Sequence, residues 1–463
     1  MSLRVREASA SNNSAYEVAE LPGPETPEGK RLLRKAIAAA VMGNATEWYD
    51  YGVYATVATY LADAFFPGPL CSIGAMLGFA VSFVLRPLGG MVWGPIGDRI
   101  GRTPVLAATI LLISGATTLI GVLPTYGTAG VWAPVMLIFL RVAQGFSTGG
   151  EYGGAATVMA EYAPDDKRAR YGSFLEFGTL CGFAFGTSIV LVMEAVFTNR
   201  QMADWGWRIP FFVALPLGLV GVFLRTRVGT TPVFKECENQ HEITGSPWTR
   251  FVDLLSHYRR PLSVMFAMVV ALNIADYTLL TYLPTYLHLA IGLSDEHRTT
   301  VILIGQLAMM ACIPFLGRLS DRVGRKPMWW ASLIGLFVLA VPMFWLMAQG
   351  VAWAIVGFVV LGMLFIPQLA SVSATFAAMF PTQVRYSGFS FSYNVATAAF
   401  GGTAPLISDA VVKGTGWHLF PAVYMMLACA VGMAAMPFLR ETAGCSIRGT
   451  EIPGYQESEA RAA

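Results

Sequence analysis

The run GNATEWYDYGVYA (43–55) places two carboxylates, Glu47 and Asp50, inside an apolar stretch flanked by RLLRKAIAAAVM and TVATYLADAFF. Acids in such a setting are costly in lipid and by default mark a path for an ion or solute that faces an aqueous cavity. Their spacing of three puts them on one face of a helix, with Tyr51 and Tyr54 each following at the fourth position. Two acids on one face repel and titrate as a coupled pair. Such a pair can take up and release protons, which is the chemistry a proton-coupled carrier needs.

Other ionisable groups fall at comparable depth. Lys35 to Glu47 is about 18 Å of helical rise, and Arg86 to Asp98 is about 18 Å as well. Glu151 to Glu161 is about 15 Å. With a hydrocarbon core about 30 Å thick, Glu47, Asp50, Arg86 and Glu151 are expected near the midplane, and Arg141 nearer the outside. Asp276 is expected around the middle of the seventh helix and Glu176 near the inner end of the fifth. The plainer alternative is that Glu47, Asp50, Arg86 and Arg141 are paired ions holding helices together.

The elements that must position these groups are helices. The chain of 463 residues is 55% hydrophobic and 13% charged, with a mean hydropathy of +0.55, against roughly 25% charged for average globular domains. Apolar stretches long enough to span lie near 34–62, 71–97, 104–123, 132–160, 171–197, 208–225, 261–289, 299–317, 327–348, 352–378, 386–411 and 417–438. Lipid cannot satisfy open backbone groups, so each reads as a membrane helix. Alternate gaps concentrate Lys and Arg: Arg99 and Arg102; Lys167, Arg168 and Arg170; Arg225 to Arg260; Arg318, Arg322, Arg325 and Lys326. The positive-inside rule puts those gaps and both termini in the cytoplasm.

The two halves repeat. GDRIGRTP (97–104) follows the second helix, and SDRVGRKP (320–327) follows the eighth. PDDKR (164–168) and PTQVR (381–385), after the fourth and tenth, share Pro-x-x-x-Arg. Matched signals at equivalent positions indicate a duplicated six-helix unit. The reading is an all-α integral membrane protein of twelve helices in two pseudo-symmetric six-helix bundles. Its parts are a tail (1–33), a bundle (34–225), a polar loop (226–260), a second bundle (261–440) and a tail (441–463).

On these loops the chain resembles the major facilitator superfamily, over roughly 34–442. GNATEWYDYGVYA, FVLRPLGG (83–90), RVAQGFSTGGEYGGA (141–155), WGWRIPF (205–211) and FPTQVRYSG (380–388) are similar to its metabolite:proton symporters. NIADYTLLTYLPTYL (273–287) and AEYAPDDKRARYGSFLEFG (160–178) look most like the proline/glycine-betaine branch. The resemblance implies a bacterial inner-membrane carrier that works by alternating access as a monomer and imports a zwitterionic compatible solute with protons. A carboxylate metabolite, such as a dicarboxylate or shikimate, is the alternative cargo. It assigns proton coupling to Glu47, Asp50, Glu151 and Asp276, without saying which acid carries the proton. It makes Asp98, Arg99, Arg102, Asp321, Arg322 and Arg325 a charge latch that governs rate rather than substrate choice.

A methylated zwitterion asks for an arginine at its carboxylate, here Arg86 or Arg141. Its nitrogen asks for aromatic faces, about 0.5–2 kcal/mol each. Trp48, Tyr51, Tyr54, Tyr152 and Tyr277 are candidates, with Asn273 beside the last. Aromatics in membrane helices more often pack or mark the interface. Two features depart from the resemblance: the C-terminal stretch has no heptads, and Asp276 stands where the branch carries an uncharged residue.

Other classes find no support. Net charge is +2, so no basic field attracts nucleic acid. The six cysteines form no metal-ligand pattern. The five histidines all fall outside membrane centres, and residues 1–30 lack a signal-peptide core. No catalytic triad or phosphate loop appears. Neither a cofactor nor enzymatic activity is expected.

Overall fold

The computed structural model describes residues 26–66, 71–227, 231, 233–235, 246–289, 291–293, 295–449 and 451–453. The expected tail up to residue 25, much of the 226–260 loop and residues 454–463 lie outside them.

The first half consists of α1 (Pro27–Phe65), α2 (Cys71–Ile100), α3 (Arg102–Val122), α4 (Trp132–Tyr162), α5 (Arg168–Val196) and α6 (Ile209–Thr226). The second half begins with α7, which runs Arg259–Asp276, then as a π-helix over Tyr277–Tyr282, then over Leu283–Leu289. It continues with α8 (Asp295–Val323), α9 (Arg325–Met347) and α10 (Val351–Ala377). Next is α11, Arg385–Ala396, with a π-helical Thr397–Gly401 before Ala404–Thr415, and last α12 (Phe420–Ala435). No strand occurs among the described residues. α1 starts earlier than the apolar pattern suggests. Thr26 Oγ1 accepts from the Gly29 N–H at 3.0 Å, and Pro27 occupies the first helical position.

Nine helices are apolar enough to cross a membrane on length and composition alone, among the described residues. α1 and α4 fall short because Asn44, Glu47 and Asp50 dilute one and Arg141, Gln144 and Glu151 the other. α2, whose first turns have no described side chains, is also outside that set. The apolar signal is weakest where the buried charges stand.

The duplication is visible in the packing. α1 packs on α5 and α6, α2 on α4, and α3 on α4 and α6. In the second half α7 packs on α11 and α12, α8 on α10, and α9 on α10 and α12. The halves meet where α2 touches α11 and α5 touches α8, a pair of contacts related by the same exchange. Gly101 and Gly324, in the repeated loops, cap α3 and α9 with φ of 96° and 109°. Such angles are open to glycine and strained for side-chain-bearing residues, so the loop repeat is a backbone requirement. Within the first half the α2–α4 seam brings backbones together. A Cβ on Gly149 would meet the Arg86 carbonyl, and one on Gly89 that of Phe146.

Two elements differ from the sequence reading. The polar loop contains an amphipathic helix, Pro247–His257, that buries Phe251 and Leu254 and exposes Trp248 and Val252. Its Arg250 donates to the backbone carbonyls of Asp98 at 3.1 Å and Gln383 at 3.4 Å. The C-terminal segment is also ordered against the bundle. Glu441 accepts from the N–H groups of Arg325 at 2.8 Å and Lys326 at 2.9 Å, capping α9. Beyond it, the carbonyl of Cys445 accepts from Arg168 at 3.0 Å and that of Ile447 from Arg385, so this segment ties one half to the other.

Candidate functional site

The first half pairs its buried arginines with acids. Arg86 on α2 donates through Nη2 to Tyr51 Oη at 2.7 Å and lies 3.3 Å from Glu47 Oε1. Its guanidinium sits 4.7 Å from the centroid of Phe83. Arg141 on α4 donates to Asp50 Oδ2 at 3.0 Å and stacks on Tyr54 at 3.5 Å. Asp50 also accepts from Thr117 at 2.9 Å and Gln144 at 2.8 Å. Glu151 accepts from Arg225 at 3.0 Å and Thr109 at 2.6 Å. All six ions are buried, where removing one partner of a pair is far more costly than either pair is stabilising.

These pairings sort the candidates. Glu47 and Asp50 share a helix face but go to different arginines. Asp50, Arg141 and Tyr54 form an enclosed cluster inside the first half. Tyr54 packs there with Tyr49 and Val57 and does not line the cavity between the halves. Glu151 is held against α6 by Arg225, whose position at a helix end makes it look like an ordinary loop charge.

Between the halves lies a cavity of about 420 Å³. Its deep end is formed by Trp48, Tyr51, Tyr277 and Leu280, and it extends toward Glu194 and Arg298 at the far ends of α5 and α8. Aromatic rings run along its floor. Trp48 meets Tyr51 at 5.6 Å, Tyr51 meets Phe83 at 5.8 Å, and Phe83 meets the Tyr277 edge at 5.6 Å. Beneath it Tyr152 stacks on Tyr393 at 4.5 Å and donates to Glu176. Asn273, one turn before the π-helical segment of α7, donates at 2.9 Å to Oγ1 of Thr397, the first residue of the π-helical segment of α11. Such segments recur at functional sites because they re-aim side chains that a regular helix would misplace.

The opposite end is closed. Asp98, at the end of α2, accepts from the N–H groups of Tyr386 at 3.3 Å and Ser387 at 2.9 Å, and from Ser387 Oγ at 2.6 Å. Asp321, at the end of α8, accepts from the N–H groups of Ala169 at 2.9 Å and Arg170 at 2.8 Å. Each acid thus sits on the N-terminus of a helix in the other half, where the helix dipole favours a negative charge. Arg102 lies 3.3 Å from both Asp98 and Glu161, and Arg385 reaches Glu161 at 2.8 Å across the interface. Arg325 pairs with Asp321 at 2.8 Å. Arg99 and Arg322 stand apart from this network: both are exposed and make no ion pair among the described residues.

Sequence reasoning missed Arg225, Ser387, Tyr393, Phe83 and the Glu161–Arg385 pair. Their partners lie far along the chain; only the Pro-x-x-x-Arg echo drew attention to Arg385.

Two matched bundles, joined at one end by acids that cap helix starts of the opposite half and enclosing a cavity lined by Trp48, Tyr51 and Tyr277, have the architecture of a membrane transporter. Residues 41–405 match the family model for the Major Facilitator Superfamily. The chain is 38% identical to the glycine betaine/proline/ectoine/pipecolic acid transporter of Dickeya dadantii, covering 93% of this chain and 87% of that protein. It is 39% identical to the ectoine/proline transporter of Corynebacterium glutamicum, covering 93% and 88%. The proton:xylose symporter XylE bound to 6-bromo-6-deoxy-D-glucose shares the fold with a TM-score of 0.73 at 16% identity, covering 90% of this chain and 98% of that one. The chain belongs to the major facilitator superfamily.

Proposed function

We propose that the protein imports a small zwitterionic compatible solute, of the proline and glycine betaine class, together with protons across the bacterial inner membrane. The observation that carries this reading is the position of Arg86. It lies behind the aromatic lining of the cavity, donating to Tyr51 at 2.7 Å with Phe83 4.7 Å from its guanidinium, and among the described residues its one acidic partner is Glu47 at 3.3 Å. Charge-assisted hydrogen bonds are typically 2.7–2.9 Å, so this pair is loose. Among the described residues, Nε of Arg86 and Oε2 of Glu47 have no hydrogen-bond partner.

A proton from outside neutralises Glu47 and weakens its hold on Arg86. The guanidinium then takes the substrate carboxylate, and the aromatic floor faces the substrate nitrogen. Once the halves rock and Glu47 returns its proton to the inside, the carboxylate re-forms the pair and displaces the substrate. The relatives named for glycine betaine, proline, ectoine and pipecolic acid support the cargo class. The basic loops lie at the closed end, so the positive-inside rule makes that end cytoplasmic and this state outward-facing, for a carrier acting as a monomer.

The test is the sign of the charge moved. A zwitterion carried with one proton brings one positive charge inward. An inside-negative potential then favours uptake by about 2.3 kcal/mol per 100 mV, roughly fifty-fold accumulation. At zero pH gradient, potassium and valinomycin should drive proline or betaine into proteoliposomes. Uptake of neither, with voltage-insensitive uptake of a dicarboxylate, refutes this reading.

A further inference from the structure

On α1 and α4 the buried acids near the midplane each have an arginine: Glu47 with Arg86, Asp50 with Arg141, and Glu151 with Arg225. Glu176 on α5 is buried too, but it makes no ion pair among the described residues. Its Oε1 accepts from Tyr152 Oη, and its Oε2 lies 3.3 Å from Thr179 Oγ1. Two hydroxyls do not compensate a charge in a membrane interior, so the carboxyl is stable there in its protonated form.

Contacts on both sides fix its place. Asn44 on α1 donates to the Leu175 carbonyl at 2.8 Å and to Thr179 Oγ1 at 2.5 Å. A hydrogen-bonded line thus runs from α1 through Thr179 to Glu176. Asn44 is three residues before Glu47, on the same helix face and about 4.5 Å nearer the closed end. Asn44 Oδ1 and Glu47 Oε2 both lack a hydrogen-bond partner among the described residues. On the other side, Tyr152 stacks on Tyr393 of the second half at 4.5 Å and meets Phe389 at 6.0 Å. Along the same seam Tyr386 Oη donates to the Gly150 carbonyl at 2.5 Å, and Asn394 to that of Gly149 at 2.7 Å. Glu176 is therefore covered by a contact between the halves that must part when the closed end opens. The other titratable groups around it are Tyr393, behind Tyr152, and Asp276 on α7, which senses its charge. α8 and α10 meet α5 at this level through the uncharged Gly317 and Ser373.

We infer that Glu176 is a proton-relay residue that passes the coupled proton from Glu47 to the cytoplasm when the inner end opens. This deepens the proposed function and rests on it. Parting of the Tyr152–Tyr393 stack admits water to Glu176, whose O–H bond breaks and gives its proton to that water. The Glu176 carboxylate then takes the proton that Glu47 releases, through the Thr179 hydroxyl and water admitted beside Asn44. Glu47 is left a carboxylate and returns to Arg86. Glu176 ends protonated, as it began, and one proton has crossed. While the inner end is shut, the tyrosine stack keeps this route dry, so protons do not leak.

The experiment compares the native protein, Glu176→Gln and Glu176→Asp in proteoliposomes. It reads proline uptake driven by a pH gradient, proton entry by a trapped pH dye, and exchange of labelled for unlabelled proline at equal pH. Glutamine keeps the size and the hydrogen-bonding reach of the acid but cannot pass a proton on; aspartate can, from a shorter arm. Glu176→Gln should slow uptake and proton entry together by about 100-fold, as loss of a positioned proton carrier does. Its exchange, which needs no net proton release, should continue. Glu176→Asp should recover most of the uptake. A merely structural role predicts the reverse order, because the amide keeps the contacts and the shorter acid loses them. Native uptake in Glu176→Gln, loss of its exchange as well, or an aspartate no better than the glutamine overturns the inference and leaves the zwitterion–proton reading intact. Native protein that takes up no zwitterion, or takes it up without protons, overturns both.

Discussion

Arg86 gives its short hydrogen bond to Tyr51, at 2.7 Å, and holds Glu47 more loosely, at 3.3 Å from the same nitrogen. The carboxylate is therefore the partner that can leave. Glu47→Gln fixes it in the neutral form. A one-unit pH gradient is worth about tenfold accumulation per proton. That tenfold should vanish in the variant, while exchange of labelled for unlabelled solute at equal pH continues. Native accumulation in Glu47→Gln proteoliposomes would remove the coupled proton from Glu47.

Asp98 and Asp321 each sit on a helix start of the opposite half, so their loss weakens the closed end directly. Asp98→Asn forfeits the charge behind three cross-half hydrogen bonds, each worth about 1.5–3 kcal/mol to a charged acceptor. Maximal transport rate should fall severalfold and the KM stay within about threefold, since Asp98 is remote from the cavity. Initial-rate kinetics in vesicles decide this; a large rise in KM at normal rate would place Asp98 on the binding path.

Glu151 is bound to Arg225, and its role can be separated from folding. Arg225→Met should destabilise the protein by about 3–5 kcal/mol, the usual consequence of orphaning a buried charge. The double variant Arg225→Met/Glu151→Leu should recover most of that loss in thermal unfolding in detergent. If the recovered protein also accumulates solute, Glu151 is a packing ion. If it exchanges solute without accumulating it, Glu151 carries a coupled proton.

The C-terminal segment contributes a cap through Glu441 and carbonyl acceptors for Arg168 and Arg385. Deleting residues after Arg440 should loosen the closed end. In a background without native cysteines, a cysteine replacing the buried Ala374 should then react with maleimide about 2- to 30-fold faster, the factor that corresponds to the 0.5–2 kcal/mol typical of a lost cap. Unchanged labelling would show that the segment merely rests on the bundle.

Much of this architecture is legible in the chain because its signals are local. Apolar length gave the helices, and the repeated Asp, Gly and Pro of GDRIGRTP and SDRVGRKP gave the duplication. Gly101 and Gly324 need a positive φ, and Asp98 and Asp321 need a helix start to cap. Glu47 and Asp50 were conspicuous for the same reason: each is a polar residue in an apolar run. What stayed hidden depends on distance along the chain. Arg225 pairs with Glu151 and Arg385 with Glu161 only after folding. Tyr54 looked like a cavity aromatic by its spacing from Asp50, yet the helix turns it under Arg141. Arg99 and Arg322 share their loops with Arg102 and Arg325, which pair with Asp98 and Asp321, but are themselves exposed. The helix at Pro247–His257 was masked by the polar residues around it, although Phe251 and Leu254 hold its apolar face.

The glycine seam between α2 and α4 divides the two halves by stiffness. Where Gly149 rests on the Arg86 carbonyl and Gly89 on that of Phe146, a side chain on either glycine would force the two main chains apart, so Arg86, the anchor proposed for the substrate carboxylate, is carried on a close-packed seam. The opposing wall hangs on α7 and α11, each interrupted by a π-helical segment, and a change of side chain there can be absorbed by local rewinding. Diversification of cargo among descendants of such a carrier would therefore accumulate on the second half, around Asn273, Asp276 and Tyr393. The first half would keep one unchanging anchor for the acid group that these solutes have in common.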